Sequence, residues 1–589
     1  MNWSGRQKFI ALALAFLFFS AAISGEQASA HRKAGDPCAG PAPQFIDITS
    51  TTGIHFAHEI SPEKKFIVES MSGGVLLIDY DRDGWLDIYF TNAPTVAMAL
   101  EGKKARSALY HNNHDGTFTD VTDRAGVGTP CFAMGGAVGD YNNDGWPDIY
   151  VTCLGGNVLY RNNGDGTFTD VAQQAGVRDG RFSTGAAFAD YDGDGNLDLM
   201  VTNYVDFHLD DLPGFGQKPT CKTHSGIDVQ CGPRGLKGAG DSLFHNNGEG
   251  TFTEVSRQAG VSDPPGYYGM GVVWSDLDRR GSLDLYIADD STPNYLYRNQ
   301  GGKKFEDISL ESGTAVNGDG SEQGSMGVTV GDYLHTGYPS IFITNFEDEY
   351  NTLYRNDGHY NFKDVSYEAG VAAASYRYVG WGTGFADFDN DGWLDLMVVN
   401  GHVYPQVDRV QGNAGYRQPK FLFMNQHDGT FCDASKLAGA ALLEKRAARG
   451  AAFGDLFNDG HIDVVVEDID GGPMILRNQG NDGNHWISLE LASPGKNRLA
   501  IGALVKVTSG TVVQSEEVHS GGSYLSQNDL RVHFGLGSAT KVDRLEIRWP
   551  SGRVEKLQNL AADQFYSILE GEGIVPASRI RPNSRTDSK

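Results

Sequence analysis

The chain has 589 residues, which at roughly 100 to 200 residues per domain predicts several domains or one large repeat array with an appendage. Glycine is abundant at 76 residues and aromatic residues make up 11%, so the composition excludes a disordered or collagen-like chain. The formal net charge is −27, with 48 Lys and Arg against 75 Asp and Glu, which argues against binding to nucleic acid or to an anionic membrane and favours divalent cations as counter-ions.

The first residues have the pattern of an export signal. Arg6 and Lys8 precede an apolar run over residues 9–22, and Ala28-Ser29-Ala30 supplies the small residues that signal peptidase reads. We therefore predict a signal peptide over residues 1–30, a linker over 31–44 and a secreted or periplasmic mature chain. The alternative, an uncleaved membrane anchor, is disfavoured because the run is shorter than the ~18 residues needed to span a bilayer.

Six cysteines follow the predicted cleavage site, and an even number in an exported chain suggests disulfides. Cys221 and Cys231 close a short loop in a Gly- and Pro-rich stretch and are predicted to pair. A zinc site is disfavoured because no C-x-x-C or H-x-x-x-H partner accompanies them. The sequence does not assign the pairing of Cys38, Cys131, Cys153 and Cys432.

One unit is written seven times between residues 45 and 483, which is the signature of a repeat architecture. Each unit is anchored by an aspartate with a glycine five residues before it, and chance would not place glycine at one fixed offset in every unit. The anchors are Asp79, Asp140, Asp190, Asp276, Asp332, Asp387 and Asp455.

Each unit contains four short β-rich segments and no helical period. A small-residue run leads to the anchor, an apolar run follows the loop, a Leu-Tyr-Arg-Asn segment comes third, and a D-G turn leads to a Phe-Thr-Asp-Val segment. The pattern predicts an all-β fold in which residues 45–483 form a seven-bladed β-propeller. Because Phe45-Ile46-Asp47 precedes the first loop and no Phe-x-Asp follows the last, we expect this segment to supply the outer strand of the last blade.

After the anchor, the loop follows the pattern D-x-D-x-D-G-x-x-D in full or in part. Alternate carboxylates, a Gly that permits a tight reversal and a final Asp offer hard oxygen ligands around one ion, the coordination that Ca²⁺ favours. We predict calcium sites in the first, second, third and sixth loops. Their ligands are Asp79, Asp81, Asp83 and Asp87; Asp140, Asn142, Asp144 and Asp148; Asp190, Asp192, Asp194 and Asp198; and Asp387, Asp389, Asp391 and Asp395.

The other three loops depart from the pattern. The fourth has Arg280 in place of the third carboxylate, the seventh has Phe457 in place of the second, and the fifth keeps only Asp332. Weaker metal positions are assigned to Asp276, Asp278, Asp284, Asp455, Asp459 and Asp463. Asp-Gly loops that serve only as turns would not explain the alternate carboxylates. We expect the ion to be structural, and we assign no catalytic residue.

Downstream of the repeats, apolar and polar residues alternate. Leu545, Ile547 and Trp549 fall on one face of a predicted strand, with charged residues between them. The pattern predicts a small β-sandwich over residues 484–571, followed by a disordered tail over 572–589.

The repeats resemble the FG-GAP or VCBS units of integrin α-chain propellers on the loops quoted above. His485-Trp486, residues 519–526 (HSGGSYLS), Phe534-Gly535-Leu536-Gly537 and Trp549-Pro550-Ser551-Gly552 resemble the ASPIC/UnbV domain. Together they are similar to the cartilage acidic protein-like family over nearly the whole mature chain. The resemblance implies an exported calcium-binding propeller with a small β-domain and leaves the biochemical role undefined.

Three further segments are candidates for function. The insertion over residues 206–240 either shapes a partner site or is a decorative loop. Residues 401–405 (GHVYP) could hydrogen-bond a ligand, although a capped turn is favoured. His519, Ser520 and Ser523 invite a nucleophile hypothesis, which is disfavoured because no G-x-S-x-G elbow is present.

Two functions follow from the sequence. The favoured one is a monomeric module that binds an extracellular protein or glycan through loops at one face, with no nucleic-acid partner and no membrane insertion. The alternative is a secreted enzyme that uses the axial pocket of the propeller on a carbohydrate or secondary metabolite. A pair of inward-facing carboxylates, or histidine, near the axis and outside the metal loops would favour the enzyme, and the sequence does not locate such residues.

Overall fold

The computed structural model describes residue 38 and residues 41–129, 131–208, 221–222, 226–480 and 483–581. The predicted signal peptide lies outside these residues and stays a prediction. Within them, no helix is both long and apolar enough to cross a membrane. The described residues from 41 to 581 belong to one compact unit.

Seven four-stranded antiparallel sheets lie between Phe45 and Asn478 in the described chain, and we number them repeat sheets 1 to 7. The first strand, β1 (Phe45–Asp47), belongs to repeat sheet 7. Sheet 1 contains β2 (Val75–Ile78), β3 (Asp87–Phe90), β4 (Ala108–Asn112) and β5 (Phe118–Asp120); sheet 2 contains β6 (Phe132–Gly139), β7 (Asp148–Leu154), β8 (Val158–Asn162) and β9 (Phe168–Asp170). Sheet 3 contains β10 (Ser183–Ala189) and β11 (Asp198–Asn203), then, after the separate hairpin β12 (Cys221–Lys222) and β13 (Asp228–Val229), β14 (Ser242–Asn246) and β15 (Phe252–Glu254).

The later repeats follow the same order. Sheet 4 contains β16 (Gly269–Ser275), β17 (Asp284–Asp289), β18 (Tyr295–Asn299) and β19 (Phe305–Asp307); sheet 5 contains β20 (Val328–Gly331), β21 (Ser340–Ile343), β22 (Thr352–Asn356) and β23 (Phe362–Asp364). Sheet 6 contains β24 (Gly380–Ala386), β25 (Asp395–Asn400), β26 (Phe421–Asn425) and β27 (Phe431–Asp433); sheet 7 contains β28 (Ala448–Gly454), β29 (Asp463–Asp468) and β30 (Met474–Asn478) with β1. The all-β prediction is confirmed.

The sheets form a ring because each first strand packs on the first strand of the next sheet, and β28 packs on β2. The glycine before each anchor makes this packing possible. A Cβ at Gly327 would lie 2.1 Å from the Trp381 carbonyl oxygen, and one at Gly271 would lie 2.4 Å from that of Met326. The glycine offset that reveals the repeat in the sequence is therefore a requirement of close backbone approach.

The N-terminal segment closes the ring as predicted. β1 pairs antiparallel with β30, with Phe45 opposite Asn478 and Asp47 opposite Leu476. A disulfide joins Cys38 to Cys432 in β27 of sheet 6, so the chain before β1 is tethered to the neighbouring sheet. A second disulfide joins Cys131 to Cys153, and the predicted Cys221–Cys231 disulfide is confirmed.

Short helices that the sequence analysis did not predict connect the strands. They are α1 (Val96–Leu100), α2 (Thr122–Ala125), α3 (Ala172–Ala175), α4 (Ser256–Ala259), α5 (Ser309–Ser312), α6 (Ala372–Ser375) and α7 (Ala440–Leu443). In α2, the backbone N–H of Thr122 donates to Asp120 Oδ1, and Gly126 ends the helix with a φ of 75°. Helices of four or five residues are too short to show a 3.6-residue period, so the hydrophobic pattern could not reveal them.

The C-terminal residues form two four-stranded sheets. Their strands are β31 (His485–Ala492), β32 (Leu504–Ser509), β33 (Val512–Glu517), β34 (Val532–Gly537), β35 (Lys541–Arg548), β36 (Val554–Ala561), β37 (Gln564–Leu569) and β38 (Gly573–Val575), ordered β34-β31-β37-β38 and β33-β32-β35-β36. The prediction of a disordered tail is wrong for residues 572–581, because β38 pairs with β37 and Arg581 pairs with Glu490 at 2.7 Å.

Candidate metal centres and axial cavity

The anchor aspartates all shape the loop in the same way. In each of the seven loops, one carboxylate oxygen of the anchor accepts a hydrogen bond from the backbone N–H of the glycine five residues later, at 2.7 to 3.1 Å. This bond is present even in the loops that lack other carboxylates. The anchor therefore has a turn-forming role that is independent of any ion.

The last aspartate of the loop ties the loop to the third strand. Asp198 Oδ1 accepts from the backbone N–H of Asn246, and Asp198 Oδ2 accepts from that of Tyr191. The side-chain amide of Asn246 then donates to the Tyr141 carbonyl of the preceding sheet at 2.8 Å. This asparagine therefore ties neighbouring repeat sheets together.

Three of the predicted calcium loops bring carboxylates together closely enough to hold an ion. In each, three aspartates offer oxygens that lie within 4.8 Å of one another: Asp79, Asp81 and Asp87; Asp190, Asp192 and Asp194; and Asp387, Asp389 and Asp395. In the first loop, Asp79 Oδ1 and Asp81 Oδ1 are buried and have no hydrogen-bond partner. Carboxylate oxygens that cluster without hydrogen-bond partners are suitable ligands for a hard divalent cation.

The negatively charged carboxylates in these loops repel one another. Burial raises the pKa of Asp389 to about 7, and the neighbouring Asp391 carboxylate adds to the rise. Burial likewise raises the pKa of Asp79 to about 7 and that of Asp190 to about 6. A bound cation would relieve this repulsion and keep the carboxylates ionised.

The second loop has the same turn with an amide in one ligand position. Asp144 donates its backbone N–H to both Asp140 Oδ1 and Asn142 Oδ1 at 3.0 Å. Asp148 accepts from the backbone N–H groups of Tyr141 and Asn162. Its assignment as a calcium loop stays a prediction, as do the individual ligand assignments in the other loops.

Arginines lie beside carboxylates of two of the three loops that depart from the pattern. In the fourth loop, Arg548 pairs with the anchor Asp276 and Arg280 pairs with Asp278. In the seventh, Arg477 pairs with Asp459 at 3.0 Å and its guanidinium lies 4.5 Å from the Phe457 ring centroid. In these two loops, arginines pair with carboxylates that could otherwise face an ion, and the weaker metal assignments stay predictions.

Two histidines near the loops were missed by the sequence analysis. His111 Nδ1 lies 3.2 Å from Asp87 Oδ1 and 3.5 Å from Asp81 Oδ2, and His245 Nδ1 lies 3.1 Å from Asp198 Oδ1. Both replace the arginine of the Leu-Tyr-Arg-Asn segment. The signal was present in the sequence, because that position lies near the end of the third strand, which runs back towards the metal loop.

The C-terminal sheets cover the face of the ring that carries the metal loops. The main contact is made by the residue at the fourth position of each loop, counted from the anchor. This residue has a positive φ in Arg82, Asn143, Arg279, Asn390 and Asn458. Asn143 Oδ1 accepts from the Asn497 backbone at 2.6 Å, Asn390 Oδ1 lies 2.7 Å from His533 Nε2, and Asn458 Oδ1 accepts from Arg531 at 2.7 Å.

The other loops contact the same domain. Arg82 pairs with Glu490 at 3.3 Å, Arg279 pairs with Glu517, Lys496 donates to the Asp194 carbonyl at 3.0 Å, and Ser515 donates to Asp332 at 3.1 Å. All seven loops therefore contact the C-terminal domain, and no such cover was predicted from the sequence.

One segment of the C-terminal domain enters the ring. We call residues 519–529 the axial loop, because they bond to the first strands of the sheets around the ring. The Leu77 N–H donates to the Gln527 carbonyl at 3.0 Å, and the Val328 N–H donates to the Ser523 carbonyl at 2.9 Å. Tyr524 is fully buried and donates to the Met71 carbonyl at 2.7 Å.

The axial loop explains the residues considered as a nucleophile set. Ser520 Oγ donates to the Val138 carbonyl, Ser523 Oγ donates to the Ala451 carbonyl, and His519 Nδ1 donates to the Trp274 carbonyl at 3.0 Å. Each side chain bonds to a different repeat sheet. They hold the loop in the ring, which agrees with the low weight given to the nucleophile hypothesis.

A cavity of about 120 Å³, which we call the axial cavity, lies at the opposite end of the axis. Gln230, Gly232 and Pro233 of the insertion line it, together with Val403 and Tyr404 of the 401–405 segment. His402 caps its own turn by accepting the Tyr404 N–H at 3.0 Å. The described part of the insertion and the 401–405 segment thus both reach this cavity.

The axial cavity also holds two acidic side chains that the sequence analysis did not single out. Asp290 and Glu349 both line the cavity, and neither belongs to a metal loop. Tyr204 donates its hydroxyl to Asp290 Oδ2 at 2.7 Å, and the Gly324 N–H donates to Glu349 Oε2 at 2.7 Å.

The fold and its loops define a class: an all-β repeat protein with acidic clusters that could hold metal ions and a C-terminal domain seated on them. The comparisons with known families agree. The FG-GAP-like repeat model matches residues 79–151, 140–201, 276–343 and 332–398, and the ASPIC and UnbV model matches residues 493–575. The chain is an FG-GAP repeat protein with a C-terminal ASPIC and UnbV domain, as the sequence analysis predicted.

Among individual proteins, the chain is similar to cartilage acidic protein 1. It is 23% identical to the Homo sapiens protein over 323 residues, which cover 54% of this chain and 46% of that protein, and 23% identical to the Xenopus tropicalis protein over 326 residues. The chain thus matches about half the length of these relatives. Among solved structures, it is similar to the BP39L lectin from Burkholderia pseudomallei, with a TM-score of 0.41, 10% identity and coverage of 70% of this chain and 97% of that chain.

Proposed function

We propose that the chain is an exported calcium-binding interaction module that binds an extracellular protein or glycan through the face of the ring opposite the metal loops. The carrying observation is that the C-terminal domain covers the metal loops and fills the ring with the axial loop, as in the Leu77 to Gln527 hydrogen bond. A partner therefore has the opposite face of the ring to bind.

In this proposal calcium is structural. The loops that would hold it, the first, second, third and sixth, lie between the repeat sheets and the C-terminal domain. The residues at the fourth position of these loops, such as Asn143 and Asn390, lie beside the ligands and hydrogen-bond directly to that domain. Bound calcium would fix the conformation of the loops and thereby the position of the C-terminal domain on the ring.

The opposite face has features suited to a partner. The connections between second and third strands emerge there, among them the disulfide-bonded insertion. Leu236 of the insertion is 42% exposed, Leu100 at the end of α1 is 57% exposed, and Tyr376 beside α6 is 42% exposed. Exposed apolar side chains on connecting loops are frequent at binding surfaces.

The enzyme alternative has one observation in its favour. The pair of carboxylates that it requires near the axis, outside the metal loops, is present as Asp290 and Glu349. The metal-loop end of the axis, however, is filled by the axial loop, so any substrate would have to enter from the insertion side. We keep the enzyme as a second candidate for this reason.

The test is affinity capture on the mature chain from His31, immobilised and exposed to native extracellular material and a glycan panel in millimolar Ca²⁺. We expect a retained partner whose capture is lost in the Leu236→Ser and Tyr376→Ser variants. Val554→Ser serves as the matched control, since Val554 is 51% exposed on the C-terminal domain.

Two outcomes would contradict the proposal. Equal loss of capture in Val554→Ser would mean that the opposite face is not the binding surface. Consumption of a small molecule from the same mixture, abolished by Glu349→Gln and without a retained partner, would favour the enzyme.

A further inference from the structure

The axial cavity is built from several repeats at once. Met270, Met326 and Trp381 come from the first strands of sheets 4 to 6 or the residues just before them, and Pro233 comes from the insertion. Met270, Met326 and Trp381 pack in one cluster with Tyr524 of the axial loop, so the axial loop supports the wall. The cavity of about 120 Å³ is several times the ~10–15 Å³ that one water needs, and it suits a chain of a few heavy atoms.

The two carboxylates in the cavity lie close to each other. A Cβ built on Gly324 would lie 3.2 Å from Asp290 Oδ1 and 3.6 Å from Glu349 Oε2, so both side chains converge beside this glycine. Ser291 and Tyr204 donate to the two oxygens of Asp290 at 2.8 and 2.7 Å. The acceptors are therefore held in place before any ligand arrives.

Ser70, Gln230 and Ser291 add polar groups to the wall, and most of the remaining lining is apolar. Among the described residues, no Lys, Arg or His lines the cavity. Arg449 lies behind the wall with its guanidinium 4.2 Å from the Trp381 ring centroid, and it donates to the Ser70 carbonyl. Burial raises the pKa of both acids, and the charge of Arg234 opposes this rise only in part, since Arg234 is 62% exposed and lies 3.4 Å from Glu322.

We propose that the axial cavity binds a primary ammonium group on a short aliphatic stem, supplied either by a small amine or by a lysine side chain of a partner. The ammonium group offers three donors and one positive charge to Asp290 and Glu349, and the methylene stem suits the thioether and aromatic walls. This inference deepens the proposed function and rests on it for the choice of face.

Other ligand classes fit the cavity less well. A divalent cation needs about six oxygen ligands, whereas methionine and aromatic side chains form much of the wall. A neutral sugar would supply no counter-charge to Asp290 and Glu349 when these half-buried side chains are ionised. An ammonium group satisfies both the charge and the walls.

The experiment is calorimetric titration of the calcium-loaded mature chain with n-pentylamine, with 1-pentanol as the neutral isostere and Nα-acetyl-lysine methylamide as the lysine probe. We expect n-pentylamine to bind saturably and 1-pentanol not to bind. Glu349→Gln and Asp290→Asn should each weaken amine binding by about tenfold or more, as loss of a charge-assisted hydrogen bond predicts.

The matched control is Asp348→Asn, which removes one negative charge beside Glu349. Asp348 is exposed and has a φ of 63°, a conformation that asparagine tolerates, so this variant should bind the amine as the wild type does. Binding of the lysine probe as well as the amine would point to a partner lysine, and binding of the amine alone would point to a free small amine.

The proposal is overturned if n-pentylamine does not bind, if 1-pentanol binds equally, or if Asp348→Asn weakens binding as much as Glu349→Gln. The comparison of amine with alcohol uses the wild-type chain and stays informative if a variant misfolds. If the amine fails while the Leu236→Ser variant still loses partner capture, the ligand assignment falls and the proposed function stands. If the amine binds and no partner is captured, the ligand assignment stands and the proposed function falls.

Discussion

Removal of one ligand from the sixth loop should remove one calcium ion and its stabilisation. The change is Asp389→Ala, because asparagine would keep an oxygen at this position, as Asn142 does in the second loop. Asp389 belongs to a cluster whose oxygens lie within 4.8 Å of one another. Asp459→Ala in the seventh loop is the matched control, since Asp459 is already paired with Arg477 at 3.0 Å.

The magnitude follows from linkage. A site that is held at a hundred times its Kd stabilises the folded state by about 2.7 kcal/mol. Unfolding entropy near 60 °C is about 2.1 cal/mol/K per residue, which for roughly 540 residues converts this stabilisation to about 2 °C in Tm. Without calcium the same variant should be as stable as the wild type or more stable, because burial and the Asp391 charge disfavour an ionised Asp389.

The assay is scanning calorimetry with and without calcium, together with titration calorimetry for the number of ions bound. The wild type should bind four ions, one in each intact loop, and Asp389→Ala three. Asp459→Ala should match the wild type in both measurements. Loss of an ion in the control, or an unchanged number of ions in Asp389→Ala, would refute the assignment of the loops.

Three further outcomes are expected. Amine binding to the axial cavity should weaken as pH falls through about 7, because burial and the Asp290 charge raise the pKa of Glu349 to about 7 against the opposing effects of the Gly324 N–H and Arg234. In the free chain, the contribution of Glu349 to stability should be fully present below its ordinary pKa of 4.5 and should be lost as pH rises through about 7, which calorimetry across this range would check. Tyr524→Phe should cost about 1 kcal/mol for the bond to Met71 and Tyr524→Ala about 3 to 5 kcal/mol in denaturant titration, and equal effects would mean that packing in the ring is unimportant. Asn246→Ala should cost about 2 to 4 kcal/mol, because the carbonyls of Tyr141 and Leu197 lose their buried donor, and a cost near zero would refute its role between sheets.

The local part of the fold was predictable because each repeat carries its own signals. The glycine before the anchor marks close packing of first strands, as at Gly327, and the Phe45–Asp47 segment identified the closing strand. The clustering of Asp387, Asp389 and Asp395 follows from their spacing within one loop. These features depend on residues that are near in sequence or repeated at a fixed offset.

The other features depend on contacts between distant segments. Asp290 and Glu349 meet beside Gly324 only because three connections converge at the axis, and neither residue belongs to a repeated motif. The cover over the metal loops likewise needs the C-terminal domain to fold and dock. The sequence marked residues 519–526 as a motif but did not indicate that the surrounding segment enters the ring.

The arginine pairs suggest why some loops could lose their carboxylates. Burial raises the pKa of the anchor aspartates Asp276 and Asp387, so a nearby positive charge stabilises each of them as a carboxylate. In the fourth loop Arg548 of the C-terminal domain supplies this charge directly. In the sixth, proposed calcium would supply it, and Asn390 bonds to His533 instead. Calcium removal should therefore loosen the domain over sheets 1, 2, 3 and 6 while the arginine contact at sheet 4 persists, and hydrogen exchange of β34 against that of β35 would measure the difference.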